Sequence, residues 1–285
     1  MLKKLLSTPK NLVMGVLNIT PDSLSGDGLM SDKSPVERAL QQAKTFTEMG
    51  ADILDIGGES TRPGASPVSL EEEMNRVLPV IDCLLQYLSI PLSIDTTKAT
   101  VAREAVKRGA CLINDVSGLT KDPAMTDVAL ETGAYVVITH SKANESTEQT
   151  ELGGRYLKGD YKDVVKEVSK ELENLVLHAT RRGVKKDKII IDPGIGFGKT
   201  VEENLELLAN LEAFTKLGYP LLLGVSRKSV IGYTTKAPPE KRLGGSIAAN
   251  TLGILKGAKI VRVHDVEETV QAARLMEGIE RYLKC

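Results

Sequence analysis

Asp95, Asn114, Asp192, Lys228, Arg262 and His264 share a position in the pattern of the chain: each stands at or just beyond the point where a short apolar run stops. Asn18, Asp115, His140 and Ser226 stand in the same relation to other runs. Carboxylates and amides such as Asp95, Asn114 and Asp192 can hydrogen-bond a flat, nitrogen-rich heterocycle, as a buried carboxylate does with an amidine-like N–H pair. Lys228, Arg262 and His264 are cations or can become so, which is what a phosphate or diphosphate requires. Any one of these positions could be the Asp or Asn that often follows a strand as a turn former. That explanation is hard to extend to the whole set. No Ser–His–Asp or Cys–His arrangement in a workable order is present, which sets covalent acyl chemistry aside. Paired carboxylates would suit a glycosidase, but the basic groups near them argue against it.

The stretch Ile189–Thr200 (IIIDPGIGFGKT) needs separate treatment. It is nearly the phosphate-loop pattern G-x-x-x-x-G-K-[ST], but the first required glycine falls on Pro193. It reads better as a strand delivering Asp192, then a glycine turn that keeps side-chain bulk away from a ligand. Lys199 is then a helix-entry residue rather than a phosphate ligand, with a helix starting near Val201.

The elements that would position these groups follow from periodicity. Apolar runs at 12–19, 52–57, 91–95, 111–116, 135–140, 188–192, 220–226 and 260–265 read as strands. Amphipathic stretches lie between them, for example Pro35–Met49 and Leu70–Leu88, the latter opening on Ser69 and three glutamates, a favourable helix N-terminus. Gly50, Gly109, Gly133, Gly183, Gly218 and Gly257 sit where a left-handed helix C-cap is needed. Apolar strands alternating with helices imply a parallel sheet with a covered outer face. This many units in 285 residues match an α/β fold of the (β/α)8 TIM-barrel type, with a doubly wound open sheet as the alternative. A single domain over residues 1–285 is expected, with 1–11 a lead-in to the first strand and Ser141–Lys158 a long polar loop. In a barrel all strand C-termini open on one face, so the polar ends would converge.

Composition narrows the partners. The formal net charge is -1 with 26% charged residues, which gives no reason to expect nucleic acid or an acidic membrane surface. No apolar run is long enough to span a bilayer, and the N-terminus lacks a signal peptide's pattern, so a cytoplasmic location is expected. Cys83, Cys111 and Cys285 lack metal-type spacing and an even count. His140, His178 and His264 are dispersed, so no zinc cluster is expected; His140 reads as a satisfied strand-end histidine and His178 as a helix-surface residue.

Seven segments carry a family resemblance: GVLNITPDS (15–23), DIGGESTRPGA (55–65), SIDTTKATVAREA (93–105), INDVSG (113–118), IDPGIGFGK (191–199), GVSRKSVIG (224–232) and VRVHDV (261–266). In this order, and over almost the whole chain, they resemble the bacterial dihydropteroate synthase family. The resemblance implies a TIM-barrel enzyme of folate biosynthesis that condenses 4-aminobenzoate with 6-hydroxymethyl-7,8-dihydropterin diphosphate, a reaction with which sulfonamides compete. It implies that Asp95, Asn114, Asp192, Phe197, Gly224 and Lys228 hold the pterin. It further implies that Asn18, Arg262 and His264 bind the diphosphate, with Asn18 also meeting Mg²⁺. Thr61, Arg62, Pro63 and Ser229 would shape the aminobenzoate site. The catalytic set would be Asn18, Asp95, Lys228, Arg262 and His264, and the assembly a homodimer through outer helices.

Two stretches depart from that family. The first loop reads Pro21-Asp22-Ser23-Leu24-Ser25-Gly26-Asp27-Gly28 where the family has P-D-S-F-S-D-G-G, and Thr139 stands where a methionine usually packs on the pterin face. Two other readings follow: a diverged paralogue that binds pterins without the synthase reaction, and a pterin-dependent methyltransferase. A methyl donor releases no diphosphate and would not need the Ser226–Ser229 and Arg262-x-His264 basic cluster.

Overall fold

The computed structural model describes residues 1–20, 34–60, 67–142, 147–159 and 161–282. A short helix, α1 (Leu2–Leu6), precedes a regular alternation: β1 (Leu12–Asn18), α2 (Pro35–Glu48), β2 (Ile53–Gly57), α3 (Leu70–Tyr87), β3 (Leu92–Asp95), α4 (Ala99–Arg108), β4 (Leu112–Asp115), α5 (Met125–Thr132) and β5 (Tyr135–Thr139). A hairpin, β6 (Thr147–Thr150) and β7 (Gly153–Tyr156), interrupts it before α6 (Val164–Arg181). The alternation resumes with β8 (Ile189–Asp192), α7 (Val201–Ala209), α8 (Glu212–Thr215), β9 (Leu222–Leu223), α9 (Ser229–Thr235), α10 (Leu243–Leu255), β10 (Ile260–Val263) and α11 (Val266–Glu280).

The main sheet has 8 strands in the order β8-β5-β4-β3-β2-β1-β10-β9, and its pairings are parallel. A parallel bridge between Ile191 and Leu221 joins the two ends. The sheet is therefore a barrel, and the open doubly wound alternative is set aside. The strands expected from sequence are all present but shorter; the run 220–226 keeps only Leu222–Leu223. Helix starts follow the capping logic: Ser34 and Glu37 form a capping box around Pro35, Ser69 Oγ accepts from the Glu72 N–H at 3.1 Å, and the six C-cap glycines all have positive φ.

Period-2 alternation divides each strand between two cores. Leu12, Met14, Ile53, Leu112, Tyr135, Val137, Ile190, Leu222 and Ile260 point inward and fill the barrel, while their neighbours pack beneath the helices. Each such fully buried leucine or isoleucine contributes about 1.5–3 kcal/mol relative to exposure. The same parity carries upward. Asn18, Asp55, Asn114, Thr139, Asp192 and Arg262 share the inward parity of the apolar residues below them, and Asp95 that of the buried Ser93; the register pairs Asn18 with Gly57, Gly57 with Asp95, Asp95 with Asn114 and Thr139 with Asp192.

Two expectations are corrected. The first residues are not a plain lead-in: Leu2 is 2% exposed and joins the barrel-interior cluster with Leu12 and Met14, so α1 covers the lower end of the barrel. The polar segment 141–158 is not simply a loop, because it contains the antiparallel hairpin Thr147–Tyr156. Its polar residues gave no burial signal, since the hairpin is held by side-chain and backbone hydrogen bonds on the surface of α9.

Candidate active site

The upper layer of the barrel holds a buried ionic network. Arg262, on β10, donates from Nε to Asp55 Oδ2 at 2.6 Å and from Nη2 to Asp95 Oδ2 at 2.5 Å. Asn114 donates from Nδ2 to the same Asp55 oxygen at 2.9 Å. Asp55 is fully buried and Asp95 and Asn114 nearly so. Among the described residues, Asp55 Oδ1 and Asp95 Oδ1 receive no hydrogen bond. A buried carboxylate oxygen in that state is poised to accept from a ligand. Burial, together with the negative charges of Asp55, Glu73 and Asp115, pushes Asp95 up to about 7 against the pull of Arg262. For Arg262, burial opposes the charge, but Asp55 and Asp95 outweigh it and hold the guanidinium above its usual value.

Asp192 closes the opposite wall. Its Oδ1 accepts from the Gly194 N–H at 2.8 Å, and burial raises its pKa against the attraction of Lys228. Lys228 donates to the Ile195 carbonyl and lies 4.3 Å from the centroid of the Phe197 ring. Burial lowers its pKa to about 8, opposed by Asp192. Gly224 lies between the walls: a Cβ there would stand 3.9 Å from Arg262 Cβ and 4.0 Å from Asp192 Oδ2, in the space above the carboxylate. His264 is oriented by Ser226, whose Oγ lies 3.2 Å from His264 Nδ1 and accepts from its backbone N–H. Ser229 opens α9 directly after Lys228. Thus Asp95, Asn114, Asp192, Phe197, Gly224, Lys228 and Arg262 come together at one end of the barrel, with His264 and Ser229 on the adjoining turns.

Asn18 ends β1 on the same rim. A Cβ on Gly57 would be 3.5 Å from Asp95 Cβ and 3.7 Å from both Asn18 Oδ1 and Asp95 Oδ2, so the two oxygens lie on either side of the glycine. Among the described residues, no cluster of three or more His, Cys, Asp or Glu side chains is arranged to hold a metal. Thr61, Arg62 and Pro63, and the altered first loop with Leu24, Gly26 and Asp27, lie outside the described residues.

Asp55 lies outside the strand-end pattern, inside β2 rather than at its end. Its signal is a carboxylate inside an apolar strand, Ile53-Leu54-Asp55-Ile56, which burial would forbid without a partner. Asp115, on the outward parity, is the turn former that the simple reading allows: its carboxylate accepts from the Ser117 N–H at 2.8 Å and the Leu119 N–H at 3.1 Å. His140 is buried with its Nε2 2.8 Å from Glu171 Oε2, and burial lowers its pKa to about 4. It lines a cavity of about 620 Å³ beside Leu119, Leu175 and Arg182, outside the barrel. His178 is exposed on α6, as expected.

Lys199 is more than a helix-entry residue. Thr200 is the N-cap of α7, and the Lys199 side chain is 1% exposed. Its Nζ donates to the carbonyls of Gly194 at 2.9 Å, Phe197 at 3.0 Å and His140 at 3.3 Å. The glycines of this turn also have a sharper reason than ligand clearance. A Cβ on Gly194 would fall 1.8 Å from the His140 carbonyl oxygen, and one on Gly198 2.1 Å from that of Lys142.

Comparison with known proteins agrees with this geometry. The family model described as pterin binding enzyme matches residues 14–264. The chain is 45% identical over 270 residues to a dihydropteroate synthase of Bacillus subtilis, covering 95% of this chain and 89% of that one. A crystal structure of a dihydropteroate synthase from Clostridium difficile in the presence of pteroic acid matches with a TM-score of 0.87 at 46% identity, covering 96% of this chain and 98% of that one. A second, from Xanthomonas albilineans with 4-aminobenzoic acid, matches with a TM-score of 0.86 at 42% identity, covering 96% and 94%. An inward-facing carboxylate–amide floor with a cationic rim, on a barrel of this topology and at these identities, places the chain among the pterin-binding enzymes, in the dihydropteroate synthase family.

Proposed function

We infer that the chain condenses 4-aminobenzoate with the diphosphate ester of 6-hydroxymethyl-7,8-dihydropterin, giving 7,8-dihydropteroate and pyrophosphate. The observation that carries this reading is the buried network of Asp55, Asp95, Asn114 and Arg262 facing Asp192 and Lys228. Asp95 Oδ1, with no donor among the described residues, suits a ring N–H of the pterin, and Asp192 and Asn114 suit its other polar edges. Lys228 and Phe197 flank the ring. Arg262 and His264 take the diphosphate oxygens, and the positive charge of Arg262 stabilises the anion that develops as the methylene C–O bond breaks. The uncharged aromatic amine attacks that carbon, forms the C–N bond and gives up a proton to solvent, so the protein needs neither nucleophile nor strong base. The basic cluster favours this reaction over methyl transfer, which releases no diphosphate.

Mg²⁺ fits the same site. The ion commonly keeps several waters and takes one or two protein oxygens beside substrate phosphates, and Asn18 Oδ1, near Gly57 and Asp95, would supply one such oxygen. When bound, it would neutralise charge on the diphosphate. Thr61, Arg62, Pro63 and Ser229 complete the proposed aminobenzoate site, where an arylsulfonamide of similar shape would compete. The helix α10 carries no charged residue over Leu243–Leu255 and leaves Leu243 and Leu255 exposed, which supports a homodimer formed there. A protomer-sized mass in light scattering at micromolar concentration would remove the dimer. The free thiols of Cys83 and Cys111 suit a cytoplasmic location, which cell fractionation would test.

The decisive measurement is pyrophosphate release by the purified protein with Mg²⁺. Release is expected only when aminobenzoate is present, in step with dihydropteroate formation. Tight pterin binding without product at saturating substrates would instead identify a pterin-binding paralogue.

A second expected result concerns pH. Asp95 must be ionised to accept from the ring N–H, and its proton leaves only as pH rises through about 7. Pterin affinity should therefore fall by about tenfold for each pH unit below that point. Asp95→Asn should bind pterin weakly and lose this tenfold-per-unit dependence by calorimetry. A wild-type affinity equal at pH 6 and pH 8 would remove Asp95 as an anionic acceptor.

A further inference from the structure

The hairpin β6–β7 rests on α9, where it meets the turn that carries Lys228 and Ser229. Tyr233, on α9, donates from its hydroxyl to the Gly153 carbonyl at 3.1 Å, and Thr150 Oγ1 lies 2.6 Å from the same hydroxyl. The Arg155 guanidinium stacks 4.7 Å from the centroid of the Tyr233 ring. A Cβ on Gly153 would stand 3.6 Å from Ser229 Cβ, so the hairpin tip and Ser229 are in contact range.

Arg242 ties these pieces together from beneath. It is 2% exposed, and it donates to the carbonyls of Leu152 in the hairpin turn at 2.9 Å, Arg227 at 2.9 Å and Ala237 at 3.0 Å. Gly232 leaves room for it, since a Cβ there would lie 2.2 Å from Arg242 Nη2. Arg227 has φ of 57°, a left-handed conformation that costs a non-glycine residue free energy. It persists because both sides of the residue are held. Its N–H donates to Ser246 Oγ at 2.9 Å, its carbonyl accepts from Arg242, and its side chain pairs with Asp265 at 2.9 Å. The strained residue aims Ser226 at His264 on one side and Lys228 and Ser229 at the pocket on the other.

Resting on the function inferred above, we propose that the β6–β7 hairpin is the outer wall of the second-substrate end of the site, with Arg242 as the positioning residue that locks it to the Arg227–Ser229 turn. The hairpin limits how far an aromatic amine can extend past Ser229, and so selects a compact para-carboxylate over longer para-substituents. Lys228 is less dependent on it, because its ammonium is also held by the Ile195 carbonyl and the Phe197 ring.

The test replaces 147–156 by a short Gly-Ser link and compares it with Tyr233→Phe, which removes only the hydroxyl contacts to Gly153 and Thr150. Turnover is measured with 4-aminobenzoate and with 4-aminobenzoylglycine, an amine of the same kind extended by an amide-linked amino acid. Pterin affinity is measured by calorimetry. Loss of the hairpin should raise the KM for 4-aminobenzoate about tenfold, and Tyr233→Phe about threefold, with pterin affinity within about twofold of wild type. The ratio of kcat/KM for the extended amine to that for 4-aminobenzoate should rise several-fold. That ratio does not depend on the folded fraction, so a purely structural role would leave it unchanged. If the hairpin replacement fails to fold, Tyr233→Phe decides alone: an unchanged KM and ratio overturn the wall. An inactive wild type would remove the function and the wall with it. An active wild type whose amine selectivity survives both changes would remove the wall alone.

Discussion

Replacing Arg262 by methionine is expected to lower kcat/KM by about 10²–10³, the usual cost of removing a charge-stabilising donor aimed at the reacting group. The same change should destabilise the fold by about 3–5 kcal/mol, the range for breaking a buried ion pair from one side. The two losses have separate origins. The first is the missing cation at the diphosphate. The second is a floor left with Asp55 and Asp95 but without the guanidinium that bonds both of them. A combined Asp55→Asn, Arg262→Met variant should separate the two. Neutralising the fully buried carboxylate removes the orphaned charge, so the midpoint of urea unfolding should return part of the way to wild type. Turnover should stay low, because the diphosphate still lacks its partner. Recovery of turnover along with stability would mean that Arg262 acts only as the counter-charge of Asp55 and Asp95.

This division explains what could be read from the sequence. The barrel followed from apolar runs at a regular spacing, and the site from the polar residue that ends each of them, because in a parallel barrel all those ends open together. Asp55 was missed because it sits one pleat deeper, in a strand whose polar end is a glycine. Its role depends on Arg262, more than 200 residues away in the chain, and no local pattern connects them. The hairpin was missed for a related reason. Thr147–Thr150 and Gly153–Tyr156 are polar and leave much of their surface in solvent, so alternation gives no signal. What holds the hairpin in place is Tyr233 and Arg242, whose side chains reach the carbonyls of Gly153 and Leu152 across 80 to 90 residues of chain. In both cases the missing information was a long-range polar contact, whereas hydrophobic patterning reports burial.

Lys199→Met should destabilise the protein by about 3 kcal/mol at pH 6, where the side chain is an ammonium, since it leaves three inward-facing carbonyls without their donor. An ammonium has three N–H groups, and here they meet the carbonyls of His140, Gly194 and Phe197, which joins the end of β5 to the turn after β8. That turn aims Asp192, because the Gly194 N–H holds its carboxylate. Pterin affinity should therefore fall as well, by about tenfold, although Lys199 itself does not reach the ligand. The pH dependence gives the change a signature. Burial lowers the Lys199 pKa from 10.5 to about 7, so between those values the folded chain binds fewer protons than the unfolded one. Stability from this group accordingly rises as pH increases from about 7 to 10.5. The methionine variant lacks that rise, so the gap in urea midpoint between wild type and variant should widen from pH 7 to pH 10. A gap that stays constant would mean that the lysine keeps its ordinary pKa in the fold. A variant with unchanged pterin affinity would mean that the wall carrying Asp192 stands without its staple.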